Sequence, residues 1–295
     1  MAQYSIKDIE NLSGIKAHTL RIWEQRYKLF KPLRTDTNIR YYSDCELKLI
    51  LNVVLLSKMG YRIGTIAKMS SDDIKSSINN LSSIDIKYEA LVNDLTRAMI
   101  DVDEDRFEKI IATGILQYGL PKTMLHIIYP FLVKIGVMWL TSNVNPAQEH
   151  FITNLIRQKI IVAIDGQIPK YNECSKHYLL YLPEGELHEI SLLFLTYLLK
   201  SKNHRITYLG MSVPLNDVVE VVQHKKPDAI YTIFTSFPKE DNLEPYIKSI
   251  SEKFNDTPVY ISGIRLTDIR KAPPKNIRFL HTLEEVLTHF QITIE

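Results

Sequence analysis

A histidine flanked by carboxylates marks a short segment in the second half of the chain. Glu186 lies two residues before His188, and Glu189 follows it directly. The apolar run Tyr178–Leu182 precedes this segment, and a helical pattern from Ser191 to Leu199 follows it. A histidine beside a carboxylate can ligate a metal or cofactor, because the carboxylate fixes the tautomer of the ring. We predict a ligand-binding loop between a strand and a helix; the simpler alternative for His188 is a polar turn residue.

The elements that must position this loop form an α/β pattern over residues 171–295. Strands and helices alternate with short connectors, which predicts a parallel sheet with helices on both faces. Gly210 and Gly263 fall at predicted strand ends, where ligands bind. The predicted strands are His177–Leu182, Arg205–Leu209, Ala229–Phe234, Val259–Ser262 and Arg278–Leu280, and the predicted helices are Ile190–Ser201, Leu215–Lys225, Leu243–Phe254 and Leu283–Gln291.

Length and composition limit the number of domains and the class of protein. The 295 residues suffice for two or three domains, and 45% hydrophobic content allows proper cores. The net charge of +2 means that any nucleic-acid site must be a local patch. Two cysteines argue against a disulfide framework, and the N-terminus lacks the pattern of a signal sequence. The most apolar stretch is too short to span a bilayer. We expect a cytoplasmic protein without a membrane partner.

Residues 1–70 predict a compact basic head. A short helix from Ser5 to Leu12, a turn at Gly14 and a second helix over residues 17–27 make a helix-turn-helix pattern. The outer face of the second helix carries His18, Thr19, Arg21, Gln25 and Arg26, which suit contacts with phosphates and base edges in a major groove. The alternative for these side chains alone is a solvated helix face.

The stretch that follows the second helix favours a DNA-binding surface over a solvated helix face. Residues 28–42 contain four cations and a single acid, with a hairpin tip predicted at residues 35–38. A basic hairpin directly after a recognition helix is placed to grip the backbone beside the groove. The cations are Lys28, Lys31, Arg34 and Arg40, interleaved with Phe30, Pro32, Tyr41 and Tyr42.

Residues 71–170 predict a bundle of four or five helices joined by short connectors. Sustained heptads are missing, so dimerisation is expected through the bundle or the C-terminal domain. Trp139 is followed, after nine residues, by Glu149 and His150. In isolation the tryptophan would be a core residue and the Glu-His pair a surface feature.

The head resembles the DNA-binding domain of the MerR family of regulators in both order and spacing. The resemblance implies that Thr19, Arg21, Arg26, Arg34, Arg40 and Tyr41 lie on DNA, and that a dimer or larger oligomer binds a two-fold operator. Asn38-Ile39 departs from the family's usual Gly-Tyr. The resemblance rests on Tyr4-Ser5-Ile6, Thr19-Leu20-Arg21-Ile22-Trp23-Glu24, Leu29, Pro32, Arg34, Arg40-Tyr41-Tyr42, Leu55, Gly60-Tyr61, Ile63 and Ile66.

The chain as a whole resembles the CarH/LitR class of adenosylcobalamin-dependent, light-sensing repressors, with a helical cap and a cobalamin-binding flavodoxin-like domain. The resemblance rests on Glu186-x-His188-Glu189-Ile190, Tyr208-Leu209-Gly210, Pro214-Leu215 and the Trp139, Glu149, His150 spacing. It implies that His188 is the lower axial ligand of the cobalt and Glu186 its hydrogen-bond partner. Trp139, Glu149 and His150 would cover the upper face, with Ser191, Ser262 and Gly263 along the nucleotide tail.

Four positions depart from that class. Ser191 replaces a Gly, Ile233 a Ser, Ser262 the first of two Gly, and Leu140 a His. Three of these changes crowd the path of the nucleotide tail, where small residues are needed. We therefore predict a DNA-binding regulator with a degenerate cobalamin pocket, which responds to a protein partner or another ligand. The alternative is a working adenosylcobalamin pocket. A cobalamin-dependent enzyme is a remote alternative, because no segment supplies a substrate domain.

Overall fold

The computed structural model describes residues 3–35, 37–58, 61–79, 84–140, 144–236, 243–269 and 271–294. The chain divides into two compact units, residues 1–155 and 156–295. Within the described ranges, no helix combines the length and apolar character needed to cross a bilayer. Asp36, Gly60 and Leu81, which the sequence assigns to turns and a helix end, lie outside those ranges. The division into domains 1–70, 71–170 and 171–295 stays a prediction.

The first unit begins with a small sheet and a helix-turn-helix. Ser5 caps the first helix, since its hydroxyl accepts from Asp8 N while the Asp8 carboxylate accepts from Ser5 N. Gly14 (φ 73°) ends that helix in the left-handed conformation. The antiparallel sheet has the order β1-β3-β2. The elements are β1 (Tyr4–Ser5), α1 (Ile6–Ser13), α2 (Ala17–Tyr27), β2 (Leu33–Arg34), β3 (Arg40–Tyr42), α3 (Asp44–Lys58), α4 (Ile63–Ile66) and α5 (Ser71–Asn79).

A helical bundle follows, and its core includes contacts of Phe107 with Phe131 and Phe151, whose ring centroids lie 5.7 and 6.0 Å away. Gly119 (φ 76°, ψ 160°) leaves the helical region, so the helix is kinked at this position. Helical structure then continues through a π-helical turn at Met124–Ile128. The helices are α6 (Ile84–Asp101), α7 (Glu104–Thr123), α8 (Tyr129–Leu140) and α9 (Pro146–Asp165), the last of which spans the boundary between the units.

The second unit is a parallel five-stranded sheet of order β5-β4-β6-β7-β8 with helices between the strands. The predicted α/β pattern is confirmed, and most element ends agree within two residues. The elements are β4 (His177–Pro183), α10 (Ile190–Ser201), β5 (Arg205–Val213), α11 (Leu215–Lys225), β6 (Ala229–Ile233), α12 (Leu243–Lys253), β7 (Val259–Ser262), β8 (Ile277–Leu280) and α13 (Leu283–His289).

One strand end was predicted wrongly. β5 does not stop at Leu209 but runs on to Val213. The pairing with β4 shifts register, so that Tyr181 faces Gly210 and Pro183 faces Val213. Tertiary pairing thus extends the strand through Gly210 (φ 84°), a residue that weakens strand propensity.

The two faces of this sheet are filled differently. Leu179, Tyr181 and Ile230 point to the face covered by α11 and α12. Because side chains alternate along a strand, Tyr178 and Tyr231 point to the opposite face. There the ring of Phe290, directly after α13, packs against Tyr178, Tyr231 and Tyr260 at centroid distances of 5.4, 5.8 and 5.7 Å. We call this second side of the sheet the tyrosine face.

Candidate functional site

The loop between β4 and α10 encloses a fully buried carboxylate. Oε2 of Glu186 accepts hydrogen bonds from the backbone amides of Thr235 (2.8 Å) and Ser236 (2.7 Å), just beyond the end of β6. Oε1 accepts from the Ser236 hydroxyl (3.1 Å) and from the His188 amide (3.1 Å). It also lies 2.6 Å from Nδ1 of His188. The predicted partnership of Glu186 and His188 is therefore present, and Ser236 joins it.

The protonation state of this pair follows from its surroundings. Burial alone would raise the pKa of Glu186, but hydrogen bonds from the His188 ring and from the Ser236, His188 and Thr235 amides outweigh it and hold the pKa well below the usual range. An ionised carboxylate only accepts, so Nδ1 of His188 donates. In its neutral form the ring then carries its lone pair on Nε2, which is the tautomer that ligates a metal. The imidazole is 55% exposed.

The residue after the histidine forms a second polar cluster. Glu189 is buried, pairs with the Arg157 guanidinium of α9, and accepts a 2.6 Å hydrogen bond from the Tyr208 hydroxyl of β5. Burial, followed by this hydrogen bond to Glu189, raises the pKa of Tyr208. The cluster fixes the start of α10 to two other elements. Sequence reasoning missed Arg157, because nothing near it in the chain signals a partner 32 residues away.

The positions expected along a nucleotide tail border the tyrosine face. Ile233 and Ser262 are register partners across β6 and β7, and both are buried. The Ser262 hydroxyl lies 2.6 Å from the hydroxyl of Tyr231, which is also buried. Ser191 lies in the first turn of α10 and is half-buried. The tyrosine face is thus occupied by this chain's own side chains.

Gly263 permits a close contact between backbone segments. Its φ of 114° is accessible mainly to glycine, and a β-carbon there would lie 2.1 Å from the Phe234 carbonyl oxygen. Phe234 N also donates to Ser262 O at 2.8 Å. The glycine therefore permits the ends of β6 and β7 to approach each other.

Three further predicted residues belong to the first unit. Trp139, in the last turn of α8, is 46% exposed rather than a core residue. Glu149 lies in the first turn of α9 and His150 follows it directly; Oε2 of Glu149 and Nδ1 of His150 are 3.8 Å apart, and His150 is largely exposed. The Leu140 side chain lies outside the described residues. That Trp139, Glu149 and His150 cover a cofactor stays a prediction.

The recognition helix presents a basic surface. Leu20 and Trp23 of α2 are buried, while Arg21 and Arg26 on the other side are exposed. Thr19 is half-buried, with Oγ1 3.3 Å from Nε2 of His18. The structure therefore places the predicted groove-facing side chains on one outward surface.

The hairpin formed by β2 and β3, which we call the wing, follows this helix. Arg34 and Arg40 face each other across its two strands, and Tyr41 pairs with Leu33. Arg34 is exposed and donates to the Asn38 side chain at 2.7 Å. Asn38 adopts a left-handed φ of 64°, which asparagine tolerates better than most residues. Unlike Arg34, Arg40 is largely covered and donates from Nε to Glu24 at 2.8 Å.

A helix-turn-helix with a basic wing, combined with a parallel α/β domain that holds a histidine at its strand ends, defines a DNA-binding regulator with a sensor half. Comparison with known proteins agrees with this class. Residues 4–73 match the family described as MerR HTH family regulatory protein, and residues 91–163, within α6 to α9, match the family described as B12 binding domain. The chain is therefore a DNA-binding transcriptional regulator with a MerR-type helix-turn-helix head and a cobalamin-binding-type domain.

Relatives cover most of the chain. The HTH-type transcriptional repressor CarH of Myxococcus xanthus is 23% identical over 283 residues, which is 93% of this chain and 86% of the relative. The repressor CarA of the same organism is 24% identical over 270 residues, covering 90% and 88%. The solved monomethylamine corrinoid protein of Methanosarcina barkeri has a TM-score of 0.50 at 11% identity, covers 70% of this chain and 99% of its own, and is similar in fold. The predicted fold class, resemblance and regulator function are confirmed.

Proposed function

We propose that the protein is a non-enzymatic regulator whose head binds a double-stranded operator through Thr19, Arg21, Arg26, Arg34, Arg40 and Tyr41. Support comes from the outward basic surface of α2 beside a basic wing. A two-fold operator requires two heads, so the protein acts as a dimer or tetramer. The C-terminal half controls operator binding by favouring one of two states, since a ligand acts only through differential affinity.

We further propose that the sensor half has lost the pocket for cobalamin's nucleotide tail. His188 fits the role of an axial ligand, because Nδ1 is bound to Glu186 and Nε2 carries the lone pair. The tyrosine face does not fit a buried tail. Tyr231, hydrogen-bonded to Ser262 and packed on Phe290, fills the side of the sheet that borders Ser191, Ile233 and Ser262. This packing is the observation that carries the proposal, and the controlling ligand is then a different molecule or a protein partner.

A second candidate is a working adenosylcobalamin sensor, and the His188–Glu186 pair favours it. In that case His188 would hold the cobalt, and Trp139, Glu149 and His150 would cover the opposite side. Bound adenosylcobalamin would supply a light-sensitive cobalt–carbon bond. An enzymatic role has no such supporting observation, and the relatives CarH and CarA are both named repressors.

Cobalamin retention separates the two candidates. The full chain is incubated with adenosylcobalamin in the dark, desalted, and its visible absorption recorded. We expect a colourless protein, because a tail would have to displace buried aromatic side chains. Retained colour that changes in a His188→Ala variant would contradict the degenerate pocket and establish the working one. Retained colour unaffected by that variant would mean binding elsewhere, and would leave His188 without the role of ligand.

DNA binding is tested with a duplex selected from a random library by the full chain. Arg21→Ala is expected to weaken operator binding by about tenfold or more, as loss of one arginine contact with a base or phosphate does. Fluorescence anisotropy over a salt series provides the measurement. Arg278→Ala, which removes the same charge from an exposed position in β8, should leave the affinity nearly unchanged. Equal effects of the two variants would contradict the placement of the DNA surface.

A further inference from the structure

An acidic side chain lies where the recognition helix meets the wing. Glu24 is in the third turn of α2 and contacts the arginines of the wing. A carboxylate beside DNA repels phosphates, so a purely electrostatic account of the head would disfavour it at this position. Its contacts indicate a positive role.

Glu24 bridges the two strands of the wing. Oε2 accepts from Arg40 Nε at 2.8 Å, and Oε1 lies 3.7 Å from Nη2 of Arg34. These two arginines are register partners, so a single carboxylate holds one residue from each strand. The side chains of Glu24 and Arg40 are only 14% and 19% exposed. The hydrogen bond to Glu24 raises the pKa of the Arg40 guanidinium above its usual value.

The wing needs such an attachment. β2 has two residues and β3 has three, and a hairpin of that size is marginal in water unless it packs on other elements. β1 pairs with β3 along one edge, which leaves the outer strand β2 to be held by its hairpin partner and by side chains. An ion pair shielded from solvent and shared between several groups is stronger than an isolated surface pair.

We infer that Glu24 is a positioning residue for DNA recognition: it holds Arg40 and Arg34 at a fixed angle to the recognition helix, so that the wing reaches the phosphates beside the groove that α2 enters. Arg40 donates to Glu24 from Nε, and the terminal nitrogens of the same guanidinium are the donors that would reach a phosphate. The inference rests on the proposed operator binding by this head. It assigns Arg40 a second role, as the link between wing and helix.

Glu24→Gln separates positioning from simple charge, because the two accounts predict opposite signs. If Glu24 merely adds negative charge, the variant binds every duplex more tightly. If it positions the wing, operator affinity falls by about tenfold, the low end for loss of a charge-assisted hydrogen bond. The slope of log affinity against log salt also becomes shallower by about one, as for one lost phosphate contact. Affinity for a random duplex stays equal or rises.

The experiment uses the full chain, an operator selected by the wild type, and anisotropy titrations at several salt concentrations. Glu104→Gln is the matched control, since it removes the same charge from an exposed position at the start of α7. Arg40→Lys is the second variant: it keeps the charge but loses the Nε donor, so it should weaken operator binding, and adding Glu24→Gln should change little more. Thermal unfolding checks that each variant is folded.

Three outcomes are decisive. Tighter operator binding by Glu24→Gln, or an unchanged operator affinity, overturns the positioning role while operator binding itself stands. If Glu24→Gln does not fold, Arg40→Lys and Arg34→Lys are combined instead. Additive effects on operator affinity overturn the proposal that one carboxylate holds both arginines, and non-additive effects support it. A wild-type chain that selects no duplex refutes the proposed function, and the inference with it.

Discussion

Gly263→Ala is expected to unfold the C-terminal unit, with a loss of about 4 kcal/mol or more in the free energy of unfolding. Two effects add. The φ of 114° is strained for any residue with a β-carbon, and the new methyl group would lie 2.1, 2.6 and 2.7 Å from the Phe234 carbonyl oxygen, carbonyl carbon and amide nitrogen. These are backbone atoms held by neighbouring hydrogen bonds: Phe234 N donates to Ser262 O, and Arg265 N donates to Phe234 O. Relief would require the ends of β6 and β7 to separate.

Gly210→Ala is the matched control in the same unit. Gly210 also has a positive φ, of 84°, but a β-carbon there would meet only a Tyr208 ring carbon at an ordinary 3.6 Å. Its substitution should therefore cost only the backbone strain, roughly 1–2 kcal/mol. Urea unfolding followed by far-ultraviolet circular dichroism gives both values, and limited proteolysis locates the loss within residues 156–295. Equal losses for the two variants would contradict the steric argument.

The elements of the second unit are predictable because their signals are local. Apolar runs of four to eight residues between turn residues mark buried parallel strands. The bounds of α10 and α11 agree with the sequence-based prediction at both ends. β5 differs because Gly210 weakens the local strand signal, and the strand is extended to Val213 by pairing with β4.

The filling of the tyrosine face could not be predicted from the sequence, because β6 is buried along its whole length. A parallel strand covered on both faces lacks the alternation that tells one side from the other. Tyr231 and Ile233 share a face because they are two residues apart, and only the register with β7 adds Ser262 to that face.

The functional contacts also divide into those that local sequence predicts and those that depend on the tertiary structure. The two-residue spacing of Glu186 and His188 is visible in the sequence, and the hydrogen bond between them follows from it. The amides that complete the site come from Thr235 and Ser236, about fifty positions along the chain. The Glu24–Arg40 pair depends on how the wing folds back onto α2, which helix periodicity does not report.

The second large effect is expected at Glu186. Glu186→Gln should lower the free energy of unfolding of the C-terminal unit by about 3 kcal/mol at pH 7. The carboxylate accepts hydrogen bonds from two backbone amides, a hydroxyl and the His188 ring, in addition to the His188 amide. A glutamine oxygen accepts about two hydrogen bonds, and its amide group would point donors at donors. Buried donors left without acceptors carry most of the cost.

The pH dependence gives this prediction a second test. The pKa of Glu186 is lower in the folded protein than in the unfolded chain, where a glutamate titrates near about 4.3. A carboxylate of this kind contributes its full stability above the unfolded pKa, and the contribution is lost as the pH falls toward the folded value. The loss of unfolding free energy in Glu186→Gln should therefore be fully present at pH 5 and above, where this carboxylate is ionised. Below pH 4 it should shrink.

Glu184→Gln isolates the effect of burial. Glu184 is in the same loop, two residues earlier, but is exposed, so its substitution should change the unfolding free energy by less than about 0.5 kcal/mol. Urea titrations at pH 7, 5 and 3.5 compare the three proteins directly. Equal losses in the two variants, or a loss for Glu186→Gln that does not become smaller between pH 5 and pH 3.5, would contradict the role of an ionised, buried acceptor. The expected pattern would instead establish that the tautomer of His188 is set by a carboxylate that the fold keeps charged.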